Sequence, residues 1–395
     1  MDNGFFFPED DVHQDVSWFL MDVMKVLNYD AVGCSEKELR FGIGYLRAQL
    51  RRTQLPMVCA NLVFQPPRSK VGRPLLAPSL IKTVGTVKVG VFGLISDNLD
   101  LGPSKDSLKV LEPAATARST IADLRKRGAT IVVLLSQLGK IESEDLVTAV
   151  DGIDAVIVGH NVALLQKGRM IKNTVACYGG EQGQYVGRTI ITLDERRRMA
   201  TGDNETFMLG PEIPDRKDIA SLVKGFTDNF NEKLRKLEKE RVAKEAQKQT
   251  SATPDHYLGS DVCARCHPTE AAQWKTTGHA QAWQSLVAAH KDATPDCIRC
   301  HVVGYNQAGG FKDLTSSPGL PNVQCENCHG MGTQHDAFAA HPRKVTEQTC
   351  RSCHTKETSP GFDFALYEPY INHQGVGTKQ PLPESPMKRY IGGGK

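Results

Sequence analysis

The sequence predicts an α/β layered domain followed by a mainly α and irregular one. Three observations carry that prediction. In the first half, short β-branched apolar runs alternate with amphipathic stretches. Near the middle, apolar residues recur at spacings of three and four among many Lys and Glu. The last third is rich in Gly, Pro, His and Cys and has little periodicity.

Strands are expected at "PMVCANLVF" (56–64), "VKVGVFGLI" (87–95), "ATIVVLLSQLG" (129–139), "DAVIVGH" (154–160) and "GRTIITLD" (187–194). Helical patterns fall between them at 11–28, 36–53, 113–127 and 142–150. Nearly continuous apolar strands separated by helices indicate a sheet buried on both faces. From about 214 to 250, Val223, Phe226, Phe230, Leu234 and Leu237 form one stripe of an amphipathic helix, which "TSATPDH" (250–256) breaks. The expected domains are therefore 1–210, a helix and linker over 211–255, and 256–395. The last of these lacks the apolar periodicity to build a core by itself.

Charge gives no case for nucleic acid or an anionic membrane as partner, because 48 basic residues face 45 acidic ones. No stretch approaches the roughly 20 apolar residues of a membrane span, so no membrane partner is expected. Cysteine is more informative. Of 11 cysteines, only Cys34, Cys59 and Cys177 lie outside four motifs, "CARCH" at 263, "CIRCH" at 297, "CENCH" at 325 and "CRSCH" at 350. Those three lie in or beside apolar runs and are expected to be buried thiols.

In C-x-x-C-H the two thiols form thioethers to the haem vinyl groups, and the adjacent histidine ligates the iron. Cys263 and Cys266, Cys297 and Cys300, Cys325 and Cys328, and Cys350 and Cys353 are thus the expected attachment sites of four c-type haems. His267, His301, His329 and His354 are the expected proximal ligands. Zinc is the competing reading of paired cysteines, but it does not explain a histidine directly after the second cysteine in all four motifs. Incidental cysteines in a loop-rich domain explain it still less. The motif starts leave intervals of 34, 28 and 25, which is a haem cluster and no solenoid. His279, His335 and His373 are the expected distal ligands, and His256, His290 and His341 the expected surface residues.

The stretches "CARCHPTEAAQWKTTGHAQA", "DCIRCHVVGYNQAGGF" and "NVQCENCHGMG" resemble the tetrahaem cytochromes c that accept electrons from hydroxylamine oxidation, over roughly 256–375. The resemblance implies electron transfer, three bis-histidine haems and one five-coordinate haem, with the haem of Cys297 and Cys300 expected to be the open one. It also assigns Gly330 a purpose, letting the backbone pass close to a haem. A redox partner protein is expected, and a homo-oligomer or stacking of haems between molecules is left open.

Residues 2–200 resemble another family, the metallophosphatases of the 5′-nucleotidase type. "YDAVGCSEKELRFG" (29–42) follows that family's Y-D-A-V-x-x-G-N-H-E-F-D-x-G, and "LSQLG", "VGHN" and "YGGEQGQYVGR" follow in its order. The family activates water with two bridged metals. In this chain Glu36 stands at the metal-binding Asn, Lys37 at the catalytic His, Gln137 at the His of "LSHLG", Val162 at the second His of "GHxH", and Phe5 at the bridging Asp. Only His160 and Glu38 match. The resemblance so altered implies a degenerate domain, with no divalent metal expected in it and a scaffold or docking role. Two alternatives are weighed, a metal-dependent nucleotide phosphohydrolase and an anion site served by Lys37. The family's first strand would precede "DNGFF", so the domain is expected to be incomplete at its N-terminus. Because c-type haem is attached outside the cytoplasmic membrane, an export signal is expected upstream of Met1, with a periplasmic or extracellular location. The expected function is electron transfer, with a haem site for nitrogen-oxide ligands as the alternative.

Overall fold

The computed structural model describes residues 1–8, 13–160, 162–179, 183–210, 212–248, 255–337, 341–356 and 358–373. Asn161 of "VGHN" and residues 180–182 of "YGGEQGQYVGR" lie outside the described residues. The chain divides into two compact units, Met1–Leu222 and Val223–Lys395.

A six-stranded sheet organises the first unit, in the order Ser79–Val84, Val87–Ile95, Ile131–Gln137, Ala155–Val158, Thr174–Tyr178, Arg169–Ile171. The inner pairings are parallel and the two edge pairings antiparallel. "IVVLLSQ" is buried along its whole length, as a parallel strand covered on both faces must be. Gly85 (φ +58°) supplies the turn between the first two strands.

Helices Pro113–Lys126 and Lys140–Ala149 cover one face, where Ile121, Leu124, Leu146 and Val147 meet Phe92, Leu134 and Val156. Pro113 sits in the first turn, and the Glu112 carboxylate accepts from the Ala114 and Ala115 N–H groups that a helix start leaves unpaired. Val91, Val133 and Leu135 turn to the other face with Ala31, Val58 and Val175, and Ile191, Leu193 and Met199 of the hairpin Tyr185–Leu193/Met199–Met208 pack onto them. Helices Gln14–Val26 and Gly42–Thr53 close a third cluster around Phe7, Met21, Leu39, Leu46 and Leu62.

Several expected elements differ in extent. The run 56–64 forms a strand only at Leu62–Phe64, which pairs with Arg73–Pro74 and Leu108–Val110, while Met57 and Val58 make isolated bridges. The pattern 36–53 is broken into a 3-10 turn, Lys37–Leu39, and the helix Gly42–Thr53, with Gly42 at φ +79° between them.

The long helix runs from Lys217 to Lys248. Within the second unit Leu234 is buried, Asn231 donates to the His290 carbonyl (2.6 Å), and Arg235 pairs with Asp292 (2.8 Å). Short helices make up the rest, among them Ser260–Cys263, Pro268–Trp274, Ala282–Ala288, Pro295–His301, Cys325–His329, Glu347–Arg351 and Phe364–Ile371. One small apolar cluster joins them: Trp283, Leu286, Ile298, Val302, Val303, Tyr305, Phe311 and Leu320. Trp283 is buried in that cluster, 5.4 Å from the Phe311 ring. No helix among the described residues is long and apolar enough to cross a membrane.

Candidate functional site

Each C-x-x-C-H motif closes a short helix or turn, so that its histidine lies about one turn from its first cysteine. The third motif is the most firmly held. Gln324 and Asn327 cap the helix Cys325–His329 reciprocally, and Asn327 Nδ2 also donates to the Val302 carbonyl (2.9 Å). Glu326 lies between the two cysteines, is buried, and accepts hydrogen bonds from the backbone N–H groups of Leu258 (3.0 Å), Gly259 (2.9 Å) and Gly332 (2.8 Å). A carboxylate so placed ties the segment before the first motif to the loop after the third. Sequence reasoning missed it, since a Glu inside C-x-x-C carries no local signal of its distant partners.

Gly330 ends this helix at φ +85°, a left-handed backbone that favours glycine.

The motif cysteines meet across motifs, Cys263 beside Cys325 and Cys300 beside Cys353. First and third motifs therefore adjoin, as do second and fourth.

The histidines come together in three pairs. His267 faces His335 with ring centres 6.3 Å apart and planes 25° apart, His329 faces His373 at 6.4 Å and 27°, and His279 faces His354 at 6.1 Å and 49°. A metal–imidazole nitrogen bond is about 2 Å long, so two imidazoles on opposite sides of one metal hold their ring centres about 6 Å apart. The residues present fit a metal between each pair. Each pair joins one motif histidine to one of the three expected distal histidines.

Protonation suits the same purpose. Burial lowers His279 to about 4 and also lowers His354, which keeps both imidazoles neutral, the form that ligates a metal. His373 Nδ1 lies 2.8 Å from Gln273 Oε1, and Gln273 Nε2 is committed to the Tyr370 and Asn372 carbonyls. Nδ1 must then be the donor, which leaves Nε2 with its lone pair.

His301 differs. Its Nδ1 donates to the Ala282 carbonyl at 2.6 Å, so its Nε2 is likewise left with the lone pair, and it is the one motif histidine outside the three ring pairs, although it lies near enough to His279 and His354 to help lower both. His354 Nδ1 instead meets Ser359 Oγ (2.9 Å), and the Phe362 ring stacks on it at 4.5 Å. His256, His290 and His341 are exposed.

In the first unit, the remaining expected residues gather at the carboxyl ends of the parallel strands. Glu38 is fully buried and accepts from the N–H groups of Phe5, Phe6, Phe7 and Ser35 and from Ser35 Oγ, at 2.7 to 3.4 Å. Its lone pairs are spent on the backbone. Phe5 takes φ +77° and meets His160 edge to face at 6.0 Å, and Lys37 Nζ lies 4.0 Å over the Phe5 ring. Val162 belongs to the apolar core. With Phe and Val in ligand positions and Glu38 saturated, these residues do not fit a two-metal centre. Among the described residues, no three His, Cys, Asp or Glu side chains gather as a metal site. Cys34, Cys59 and Cys177 are buried, and burial pushes the Cys59 thiol up to about 12.

Comparison with known proteins separates the two units. Residues 262–330, which include the first three motifs, match the family described as "Cytochrome c554 and c-prime". Cytochrome c-554 of Nitrosomonas europaea is 30% identical over 156 residues, covering 34% of this chain and 66% of that protein. Mouse 5′-nucleotidase is 22% identical over 291 residues, 66% of this chain and 50% of that protein. The trifunctional nucleotide phosphoesterase protein YfkN of Bacillus subtilis is 25% identical over 195 residues, 47% of this chain and 13% of that protein. The chain thus spans about two thirds of the cytochrome and half or less of these phosphoesterases. Among solved structures, the sulfate thiohydrolase SoxB of Thermus thermophilus superposes with a TM-score of 0.51 at 18% identity, over 57% of this chain and 41% of that one, a likeness of fold. The chain joins an α/β domain that resembles the 5′-nucleotidase type of metallophosphatase to a C-terminal domain that resembles the cytochrome c554 family.

Proposed function

We propose that this protein transfers electrons through four covalently attached c-type haems and that its phosphatase-like domain serves as scaffold or docking module for a redox partner protein. The observation that carries the reading is the set of three histidine pairs at one-metal spacing beside four C-x-x-C-H motifs. When bound, the haems supply one-electron iron chemistry. The chain's part is to hold each iron at a fixed place and to set its ligands. His267 and His335, His329 and His373, and His279 and His354 would each hold one haem iron between them, and His301 would hold the fourth. The cysteines of each motif fix each haem. Backbone and side-chain acceptors at Nδ1 of His301 and His373 hold those rings in the tautomer that presents Nε2. The proposed domains are 1–210, 211–255 and 256–395, and the proposed location is periplasmic or extracellular.

A second reading rests on His301. An iron held there without a second imidazole would admit a small ligand such as a nitrogen oxide, and the protein would then be a haem enzyme. Potentiometric titration of the purified holoprotein, followed in the haem absorbance bands, tests the first reading. Reversible one-electron steps for all four haems are expected, with rapid re-oxidation by a partner cytochrome. Nucleotide hydrolysis assayed with Mg²⁺, Mn²⁺, Co²⁺ and Zn²⁺ should give none above background, and turnover with any of them would restore the phosphohydrolase reading.

A further inference from the structure

In the second unit, a buried carboxylate of the third motif is bonded to the two segments that carry the ring pair of a different motif. Glu326 is 4% exposed. Its Oε2 accepts from the N–H groups of Leu258 (3.0 Å) and Gly259 (2.9 Å), and its Oε1 from those of Leu258 (3.1 Å) and Gly332 (2.8 Å). Two oxygens thus hold backbone from two distant segments, by charge-assisted bonds about twice as strong as neutral ones.

Each segment leads to one histidine of the first motif's pair. From Gly259 the chain turns through Ser260–Cys263, with the Ala264 N–H on the Ser260 carbonyl (2.9 Å) and the His267 N–H on the Cys263 carbonyl (2.9 Å), so the place of residues 258–260 is handed on to His267. Gly332 precedes the turn Thr333–Asp336, which is closed by the Asp336 N–H on the Gly332 carbonyl (2.7 Å) and carries His335. Neighbouring bonds strengthen both arms. Gln324 Oε1 accepts from the Ser260 N–H, and Thr333 Oγ1 accepts from the His256 N–H (3.3 Å). At Gly332 a Cβ would fall 3.2 Å from Glu326 Oε1, so the bare glycine lets the carboxylate come in.

The spacing of the pair makes this clamp consequential. His267 and His335 hold their ring centres 6.3 Å apart, and with metal–nitrogen bonds of about 2 Å that separation serves one iron. Displacing either ring by about 1 Å, half the length of one such bond, would open a coordination position. We propose that Glu326, in the attachment turn of the third haem, is the positioning residue for the axial pair of the first haem and fixes His267 and His335 at one-iron spacing. The inference rests on the four-haem reading of the motifs. The other two pairs have supports of their own, since His373 Nδ1 rests on Gln273 and His354 Nδ1 on Ser359. A residue inside one attachment motif thus governs the ligation of another haem, and its loss acts on that haem selectively.

The test counts the carbon monoxide bound per chain in the dithionite-reduced full-length holoprotein, read from the Soret absorbance, since an iron with two imidazoles has no free position for it. Relative to the native count, His335→Ala and Glu326→Gln should each add about one equivalent. Their double variant should also add about one, because both changes open the same iron, whereas Glu326→Gln with His373→Ala should add about two. Glu232→Gln, at an exposed carboxylate of the long helix, should add none. Where Glu326→Gln yields no holoprotein, Glu326→Asp, which keeps the charge and shortens the reach, carries the same expectation. A native count in Glu326→Gln, or about two further equivalents in its double variant with His335→Ala, overturns the proposal. If His335→Ala itself adds none, the axial assignment fails and the proposal falls with it. A gain in His335→Ala without one in Glu326→Gln removes the positioning role alone.

Discussion

The two units solve the problem of an interior in opposite ways. In Met1–Leu222 the interior is aliphatic: strands such as Ile131–Gln137 are buried end to end, and three clusters of Leu, Val, Ile, Phe and Met surround the sheet. In Val223–Lys395 one cluster of eight apolar residues is found among the described residues, and histidines from distant segments and cysteines of different motifs also come together there. A fold that rests on its own core can accept Phe5 and Val162 where the family it resembles keeps metal ligands. A fold that uses cofactors as its interior cannot exchange those ligands freely.

The largest effect that would break this contrast is removal of the haems. Expressed without haem maturation, the chain should lose amide exchange protection over Cys325–His329 and its neighbours, while Ile131–Gln137 stays protected. Too few apolar side chains remain in the second unit to support it. Equal protection of both segments would mean that the second unit folds on its small core alone.

The converse experiment cuts into the first core. Leu134 is fully buried, and Leu134→Ala should cost about 2–5 kcal/mol in denaturant unfolding of the first unit. The haem absorbance transition should keep its own midpoint.

Next in size is Glu326→Gln. The carboxylate takes N–H bonds at both oxygens, so an amide must turn its NH₂ toward a donor. A loss of about 1.5–3 kcal/mol is expected in unfolding monitored at the haems. Their potentials should rise with the loss of a buried negative charge.

The smallest effect sharpens the picture of the first unit at its surface. The Ala115 and Ala114 N–H groups hold the Glu112 carboxyl below its ordinary value. A depressed carboxylate contributes stability that is present above the unfolded value near 4.5 and is lost as pH falls through the folded value. The group is exposed, so Glu112→Gln should cost no more than about 0.5 kcal/mol at neutral pH. The difference from native should vanish in thermal unfolding scans at acid pH.

How much of this was legible in the sequence depended on the range of the contact that decides each feature. Val87–Ile95 and Pro113–Lys126 match their patterns closely, because apolar spacing and a Glu-Pro start are local signals. Ser79–Val84 and Met199–Met208 went unread, since "SLIKTV" and "MATGDNETFM" are polar stretches made into strands by a neighbour at the sheet edge or in a hairpin. The motif cysteines and histidines could be named from spacing alone. Which distal histidine meets which motif could not, for His279 meets His354 across the whole domain. The side-chain amides of Asn3 and Gln137 bind carbonyls more than 130 positions away and left no trace in the pattern.

The central claim is that three irons have two imidazole ligands and the iron of His301 has one. Low-temperature electron paramagnetic resonance of the fully oxidised holoprotein tests it most directly. The account predicts low-spin ferric signals together with a high-spin signal integrating to about one iron per chain, and His335→Ala should raise the latter to about two. Low-spin signals alone would give His301's iron a second axial ligand and contradict the account.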